Sequence, residues 1–131
     1  EKLDFVLINY ANADMVGHTG IFPKVVAAVE AVDEQIGTLL KTFTKSTILV
    51  TADHGNAECM IHPETGEIDK THTVNPVPFI IVNDQFKKKN NPGEEPKSTG
   101  ILADIAPTVL HFFNLEKDKN MNGISLIEGL K

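Results

Sequence analysis

The sequence is poor in the residues that mark several classes of protein. It contains one cysteine, Cys59, and no tryptophan. A single cysteine excludes an internal disulfide and fits a reducing compartment, so we expect a cytoplasmic protein. The apolar runs are short: residues 5–8 and 79–82 are four residues each and residues 25–29 are five, whereas a membrane helix needs about 20. The sequence therefore predicts neither a disulfide-stapled domain nor a membrane span.

Positive charge is also scarce. Twelve basic residues stand against 18 aspartates and glutamates, which gives a net charge of −6. This average field would repel the phosphate backbone of a nucleic acid, so we expect no nucleic-acid binding. A small anionic substrate is still allowed, because a bound metal ion inverts the local field. The 131 residues, 41% of them hydrophobic, are enough for one globular domain with its own core.

The hydrophobic pattern of the first half predicts an α/β fold. Residues 5–10 and 47–51 are apolar runs typical of strands buried on both faces of a parallel sheet. Between them, apolar residues recur every three or four positions from Phe22 to Phe43, which predicts a helix. Pro23 fits the first helical turn, where its missing N–H is not needed. Strand, helix and strand together predict a βαβ unit.

The second half predicts a turn, a third strand and another helix. Residues 59–70 contain the turn sequence PETG, which favours a hairpin or an excursion off the sheet. Residues 77–82 predict the third strand, and a long polar loop follows over residues 83–100. Residues 104–113 predict a helix with Asp104 as its N-cap.

Three clusters of polar residues lie at the ends of the predicted strands. NADMVGH at residues 12–18 follows the first strand, TADHGN at residues 51–56 follows the second, and THTVNP at residues 71–76 precedes the third. Loops that follow parallel strands leave from the same edge of a sheet, where ligands of α/β proteins bind. We therefore expect the first two clusters to meet.

Two aspartates and two histidines would then gather at one edge. Asp14 and His18, four residues apart, share a face of a helical turn, and Asp53 and His54 converge because Gly55 permits a sharp turn. Each pair alone is weak evidence for a metal site, since these residue types also cap turns. Together, carboxylate and imidazole ligands without a thiolate favour Mn²⁺, Zn²⁺ or Fe over Ca²⁺.

His72 joins this site only under one further condition. It lies five residues before the third predicted strand, which must then begin at the carboxyl edge and run away from it. We therefore predict that the third strand is antiparallel to the first two, in a mixed sheet. His62 is predicted to be exposed beside a turn, and His111 to be an ordinary packed or surface histidine.

The polar clusters resemble those of one family. Asp14-x-x-x-His18, TADHGNAE at residues 51–58 and THTVNPVP at residues 71–78 resemble cofactor-independent phosphoglycerate mutases. GILADIAPT at residues 100–108 resembles a segment of the wider alkaline phosphatase superfamily. The resemblance covers essentially the whole chain, and the run after the third-cluster histidine separates these mutases from phosphopentomutases.

The resemblance implies a fold and a reaction. The fold would have three layers, with helices packed on a mostly parallel mixed sheet as in alkaline phosphatase. Residues 1–131 would be the C-terminal piece of a discontinuous phosphatase domain, with no second domain. The reaction would interconvert 3-phosphoglycerate and 2-phosphoglycerate in glycolysis, through a phosphoserine intermediate and with two Mn²⁺ ions.

The resemblance also implies a role for each candidate ligand. Asp14, His18 and His72 would hold one Mn²⁺ ion. Asp53 and His54 would supply part of the shell of the second ion. The family's serine nucleophile and a further aspartate lie in a separate N-terminal piece, and an inserted domain binds the substrate.

We therefore expect this chain to be inactive alone. Ser46, Ser98 and Ser125 lie in none of the three clusters, so none is a candidate nucleophile. The whole protein is expected to be a monomer that acts on phosphoglycerate, and the isolated piece to be open to self-association. Two alternatives remain: another metal-dependent phosphatase or phosphomutase of the superfamily, or a non-catalytic metal-binding domain. Residue types alone do not separate Mn²⁺ from Zn²⁺; only the resemblance favours Mn²⁺.

Overall fold

The computed structural model describes residues 3–86 and 100–127. These residues fall into two compact units, one ending at Ile81 and the other beginning at Val82. The elements are α1 (Asn12–Gly17), α2 (Phe22–Thr42), β1 (Ile48–Thr51), β2 (Phe79–Val82) and α3 (Ile105–Phe112), with short 3-10 turns at Asp84–Phe86 and Leu102–Asp104. Within the described ranges, no helix is both long and apolar enough to cross a membrane.

Helix α2 lies where the apolar repeat predicts it. Pro23 is in its first turn, where a residue without an N–H costs no helical hydrogen bond. The short helix α1 packs against α2, whose Val25 and Ala28 are buried. Val26 and Val29 are 39% and 46% exposed. The predicted apolar stripe is therefore only partly covered by the rest of the described chain.

The strands β1 and β2 pair in a two-stranded antiparallel sheet. The same direction continues past the end of β1, where Gly55 and Thr73 form an isolated antiparallel bridge. The Thr73 N–H donates to the Gly55 carbonyl at 2.8 Å. The predicted antiparallel direction of the strand at residues 77–82 is confirmed for its pairing with β1; the other predicted strand of the comparison, residues 5–10, does not form. This direction returns the chain to the end of β1, beside the second polar cluster.

The strand predicted at residues 5–10 is wrong for this structure. Among the described residues the sheet consists of β1 and β2, and residues 5–10 are not part of it. Val6 and Leu7 are 60% and 84% exposed. A strand is defined by hydrogen bonds to a neighbouring strand, and apolar β-forming residues do not supply that neighbour. A three-layer, mostly parallel sheet stays a prediction.

The predicted hairpin is present over residues 59–70. The His62 N–H donates to the Glu67 carbonyl at 2.8 Å. At the tip, Gly66 has a φ of 71°, a left-handed conformation that favours glycine. His62 is half-buried rather than exposed as predicted, because its Nδ1 accepts backbone N–H groups of the turn.

In the second unit, Asp104 ties together segments on both sides of α3. It lies directly before this helix, at the predicted N-cap position, and it is buried. Its carboxylate does not cap α3. One oxygen accepts the Ile101 N–H and the other accepts the Ile124 N–H, both at 2.8 Å. These two hydrogen bonds hold the pKa of Asp104 below its ordinary value.

Helix α3 confirms the helix predicted at residues 104–113. Pro107 is its third residue and is buried, still within the turn whose N–H groups lack helical partners. Thr108 is fully buried. Its hydroxyl donates to the Asp104 carbonyl at 2.7 Å and accepts the Leu126 N–H at 2.9 Å. Most of the polar loop predicted at residues 83–100, namely residues 87–99, lies outside the described residues.

Candidate metal centre

Helix α1 places two of the predicted ligands side by side. Asp14 and His18 are one helical turn apart, and the His18 N–H donates to the Asp14 carbonyl at 3.2 Å. Residues at this spacing share a helix face. As a result, the Asp14 Oδ1 and the His18 Nε2 are 3.3 Å apart.

His72 reaches the same point from the loop that precedes β2. Its Nε2 is 3.0 Å from the Asp14 Oδ1 and 3.2 Å from the His18 Nε2. One carboxylate oxygen and two imidazole nitrogens therefore converge, and they form the one group of three potential metal ligands found among residues 3–86 and 100–127. The three side chains, in chain order, are 36%, 44% and 47% exposed. Solvent, and hence a hydrated ion, can reach them.

The spacing of these atoms fits the coordination shell of a small divalent cation. Bonds from such metals to nitrogen or oxygen are about 2.1 Å, so neighbouring ligands in octahedral or tetrahedral shells lie about 3.0–3.4 Å apart. The observed separations are 3.0, 3.2 and 3.3 Å. The donor set is oxygen and nitrogen, which suits Mn²⁺, Zn²⁺ or Fe. The residues present therefore fit a metal ion of this class.

A backbone carbonyl sets the orientation of His18. The His18 Nδ1 is 2.8 Å from the Lys70 carbonyl oxygen. A carbonyl only accepts hydrogen bonds, so Nδ1 carries the hydrogen, and in the neutral ring Nε2 presents its lone pair to the cluster. Metal-ligating histidines are commonly held by a bond of this kind from their other nitrogen.

The second predicted pair lies beside this group. The His54 ring stacks on the His72 ring, with centroids 3.7 Å apart and an interplanar angle of 17°. The His54 Nε2 is 3.6 Å from the carboxylate of Asp53, whose side chain is 89% exposed. The structure thus brings three predicted residues to one point and places the other two next to them. Their roles as ligands stay predictions.

Sequence reasoning missed the role of a carboxylate beside the site, that of Glu58. One of its oxygens accepts the Asn56 N–H at 2.7 Å. The other accepts the Thr73 hydroxyl and the Asn75 side-chain amide, the latter at 3.0 Å. Burial raises the pKa of Glu58, but these hydrogen bonds outweigh burial and hold its pKa below the ordinary value. The Thr-x-Asn pattern after His72, which offers two donors, was the available signal.

Asn56 is a second polar residue whose role sequence reasoning missed. It is buried, and its side-chain amide donates to the Thr71 carbonyl at 3.4 Å. A Cβ atom at Gly17 would collide with its Oδ1. Asn56 therefore lies between the end of α1 and the loop that carries His72.

Comparison with known proteins identifies the family of this chain. The sequence profile of the metalloenzyme superfamily matches residues 1–117. The chain belongs to the metalloenzyme superfamily. For a member of this superfamily, three ligand-type atoms spaced as a coordination shell requires indicate dependence on a metal.

Similar proteins that share the matched sequence are larger enzymes. They include the 2,3-bisphosphoglycerate-independent phosphoglycerate mutases of Clostridioides difficile, Clostridium botulinum and a Cyanothece species, with 44%, 47% and 47% identity. The matches cover 97%, 98% and 96% of this chain and 24% of each relative. The resemblance to these mutases is confirmed, and this superfamily member spans only 24% of their length.

Proposed function

We propose that this chain is the metal-binding part of a 2,3-bisphosphoglycerate-independent phosphoglycerate mutase. The observation that carries the proposal is the convergence of Asp14, His18 and His72 to separations of 3.0–3.3 Å. It occurs in a chain 44% identical to such a mutase. The whole protein interconverts 3-phosphoglycerate and 2-phosphoglycerate in the cytoplasm, through a phosphoserine intermediate.

The ligand sets follow the grouping of the side chains. Asp14, His18 and His72 hold one Mn²⁺ ion. Asp53 and His54 contribute to a second, and its other ligands come from protein outside these 131 residues. The bound ions supply the positive charge that neutralises the phosphoryl oxygens and the serine alkoxide.

The other residues at the site orient these ligands. The Lys70 carbonyl holds the His18 ring, and the His54 ring supports one face of His72. The net charge of −6 would otherwise repel phosphoglycerate. Binding of the anionic substrate therefore depends on the cations that these side chains hold.

The isolated chain is inactive in this proposal because it lacks the nucleophile. Ser46 precedes β1, whereas Asp53 follows it, so the strand separates the two residues. Ser98 lies outside the described residues, and Ser125 belongs to the second unit. The nucleophilic serine comes from the part of the whole protein that this chain does not include.

In this proposal, the rest of the whole protein also supplies the missing strands of the sheet. The relatives are longer than this chain, which covers 24% of them. Strands from that additional sequence extend β1 and β2 into a mostly parallel sheet between layers of helices. The 131 residues are then one piece of a discontinuous domain in a monomeric protein. Alone, the piece exposes apolar surface and self-associates.

A non-catalytic domain is the second candidate, and one feature of the site favours it. A hydrogen on the His72 Nε2 would let the same three atoms form an ordinary hydrogen-bonded cluster, since Asp14 and His18 both present acceptors to it. A cluster of this kind would need no metal. The two candidates differ in whether the whole protein binds divalent cations.

Calorimetric titration with Mn²⁺ at pH 8 tests the metal assignment in the whole protein. We expect His72→Ala to remove one bound ion, because it deletes a ligand of the three-residue site. We expect His54→Ala to leave that ion and weaken the other. Wild-type protein that binds no divalent cation would contradict the proposal and favour the non-catalytic candidate.

Substrate preference tests the reaction. The whole protein, loaded with Mn²⁺, is assayed on 3-phosphoglycerate and on a series of other phosphate esters. Preference for 3-phosphoglycerate with formation of 2-phosphoglycerate is expected. Preference for another ester would instead assign the protein to a different phosphatase or phosphomutase of the superfamily.

A further inference from the structure

We propose that Glu58 is a positioning residue that sets the place of His72 in the metal centre. The inference rests on the proposed metal site and extends it to a carboxylate outside the candidate ligand set. Its carboxylate binds the two polar side chains that follow His72 in the chain, Thr73 and Asn75. It also accepts the N–H of Asn56, which follows β1.

The carboxylate joins two segments that must stay in register. Glu58 belongs to the segment after β1, as do Asp53 and His54. Thr73 belongs to the segment that carries His72. The hydroxyl of Thr73 donates to the Glu58 Oε1, and the Thr73 N–H donates to the Gly55 carbonyl at 2.8 Å. Both bonds fix the residue directly after His72.

Apolar packing does not hold this loop in place. Val74, between the two residues that Glu58 binds, is 103% exposed. Pro76 and the side chain of His72 are exposed as well. The conformation of the loop therefore depends on its polar contacts, among which the Glu58 carboxylate accounts for two.

The contact is also tight. A Cβ atom at Gly55 would collide with both the Thr73 hydroxyl and the Glu58 carboxylate. Hydrogen bonds to an ionised acceptor are stronger than neutral ones, and the three donors around Glu58 favour its ionised form. Partners that hydrogen-bond a metal ligand directly typically change metal affinity by about 10–100-fold when removed, and Glu58, which acts through the residue next to His72, should fall at the lower end of that range.

Thr71 provides a matched control on the other side of His72. Its hydroxyl donates to the Asp69 carboxylate at 2.6 Å, so Thr71→Val also removes one exposed hydroxyl bond to a carboxylate. That bond joins two residues that are two positions apart in the chain, and it does not link the loop of His72 to the segment that carries Glu58. Thr71→Val should therefore leave His72 in place.

The experiment compares Thr73→Val, Thr73→Ser, Thr71→Val and Glu58→Gln in the whole protein. Mn²⁺ affinity is measured by calorimetry, and the visible spectrum of the Co²⁺-substituted protein reports the ligand field. We expect Thr73→Val to weaken binding of the ion that His72→Ala removes by about tenfold, and to alter the Co²⁺ spectrum. Thr73→Ser should restore both, and Thr71→Val should change neither.

Glu58→Gln tests the carboxylate directly. A glutamine side chain accepts at one end only, so it cannot accept from both Asn56 and Thr73 in the observed arrangement, and we expect an intermediate loss of affinity. Wild-type affinity and an unchanged Co²⁺ spectrum in both Thr73→Val and Glu58→Gln would overturn the positioning role while leaving the metal site intact. If His72→Ala binds as many ions as the wild type, the metal site itself would be overturned.

Discussion

Asp14 lies within α1 and Asp104 directly before α3, and their carboxylates face different kinds of neighbour. Asp104 faces donors, because its two oxygens accept the N–H groups of Ile101 and Ile124. The Asp14 Oδ1 faces the imidazole nitrogens of His18 and His72, and the His18 nitrogen presents a lone pair. The fold itself satisfies the first carboxylate. The second needs a cation or a shared proton, as a candidate metal ligand does.

Removing the Asp14 carboxylate should have the largest effect. We expect Asp14→Ala to lower Mn²⁺ affinity by more than about 100-fold, since even partners outside a ligand set cost 10–100-fold. Without metal, the variant should unfold at nearly the same temperature as the wild type, because the contacts of Asp14 Oδ1 with His18 and His72 join partly exposed side chains. Calorimetric titration and thermal unfolding measure the two quantities. Undiminished affinity would remove the distinction between the two aspartates.

A change of pH should also affect the Asp14 centre and the Asp104 contacts differently. Imidazoles must be neutral to bind metal, and histidines ordinarily titrate near pH 6.5. Mn²⁺ affinity should therefore fall as the pH is lowered from 8 to 5.5, because protons compete with the metal for the imidazole nitrogens. An affinity that stays flat over this range would count against ligation by histidine.

The Asp104 contacts should not change over that pH range. The pKa of Asp104 is lowered in the folded protein, so the stability that its carboxylate contributes is fully present above its ordinary pKa of 3.8. It is lost as the pH falls through the lowered value. Hydrogen exchange of the Ile101 and Ile124 amides measures this directly. Protection that disappears already at pH 5.5 would contradict the assigned hydrogen bonds.

Thr108→Val tests how much the stability of the second unit depends on the hydrogen bond to the Leu126 N–H. The change removes the acceptor of the Leu126 N–H while keeping the shape of the side chain. A fully buried donor left without a partner costs about 1–3 kcal/mol, and because Leu126 is half-buried, we expect a loss of about 1 kcal/mol in the free energy of unfolding. Thr108→Ser keeps the hydroxyl and should lose less. Denaturant unfolding of both variants makes the comparison.

The smallest effect should come from Lys70→Ala. His18 is held by the backbone carbonyl of this residue and not by its side chain. Exposed substitutions away from special features change free energies by less than about 0.5 kcal/mol, so Mn²⁺ affinity should stay within about twofold. A large loss would mean that the lysine side chain itself acts at the site.

The parts of the fold that sequence could predict are those set by local spacing. The helix Phe22–Thr42 follows from its apolar repeat and Pro23, and the pairing of Asp14 with His18 follows from their four-residue separation. His72 required a topological argument, because it meets them only if its strand runs antiparallel to the strand before it. That direction proved correct.

The features that sequence could not predict depend on distant partners. The sequence does not distinguish Glu58 from other polar loop residues, because its role depends on its contact with Thr73. Asp104 was expected to cap a helix, but it binds the backbone 20 residues further along the chain. The run at residues 5–10 has the composition of a strand, yet composition does not say which strand lies next to it.

Two crowded glycines beside the candidate metal centre bear on how related sequences are recognised. At Gly17 and at Gly55 a methyl group would strike a neighbouring side chain of the site, Asn56 or Glu58. A search pattern built only from the aspartates and histidines would accept chains that cannot fold around them. A pattern that also demands these glycines, and leaves position 70 unrestricted because only its carbonyl is used, should select true counterparts of this centre with fewer false matches.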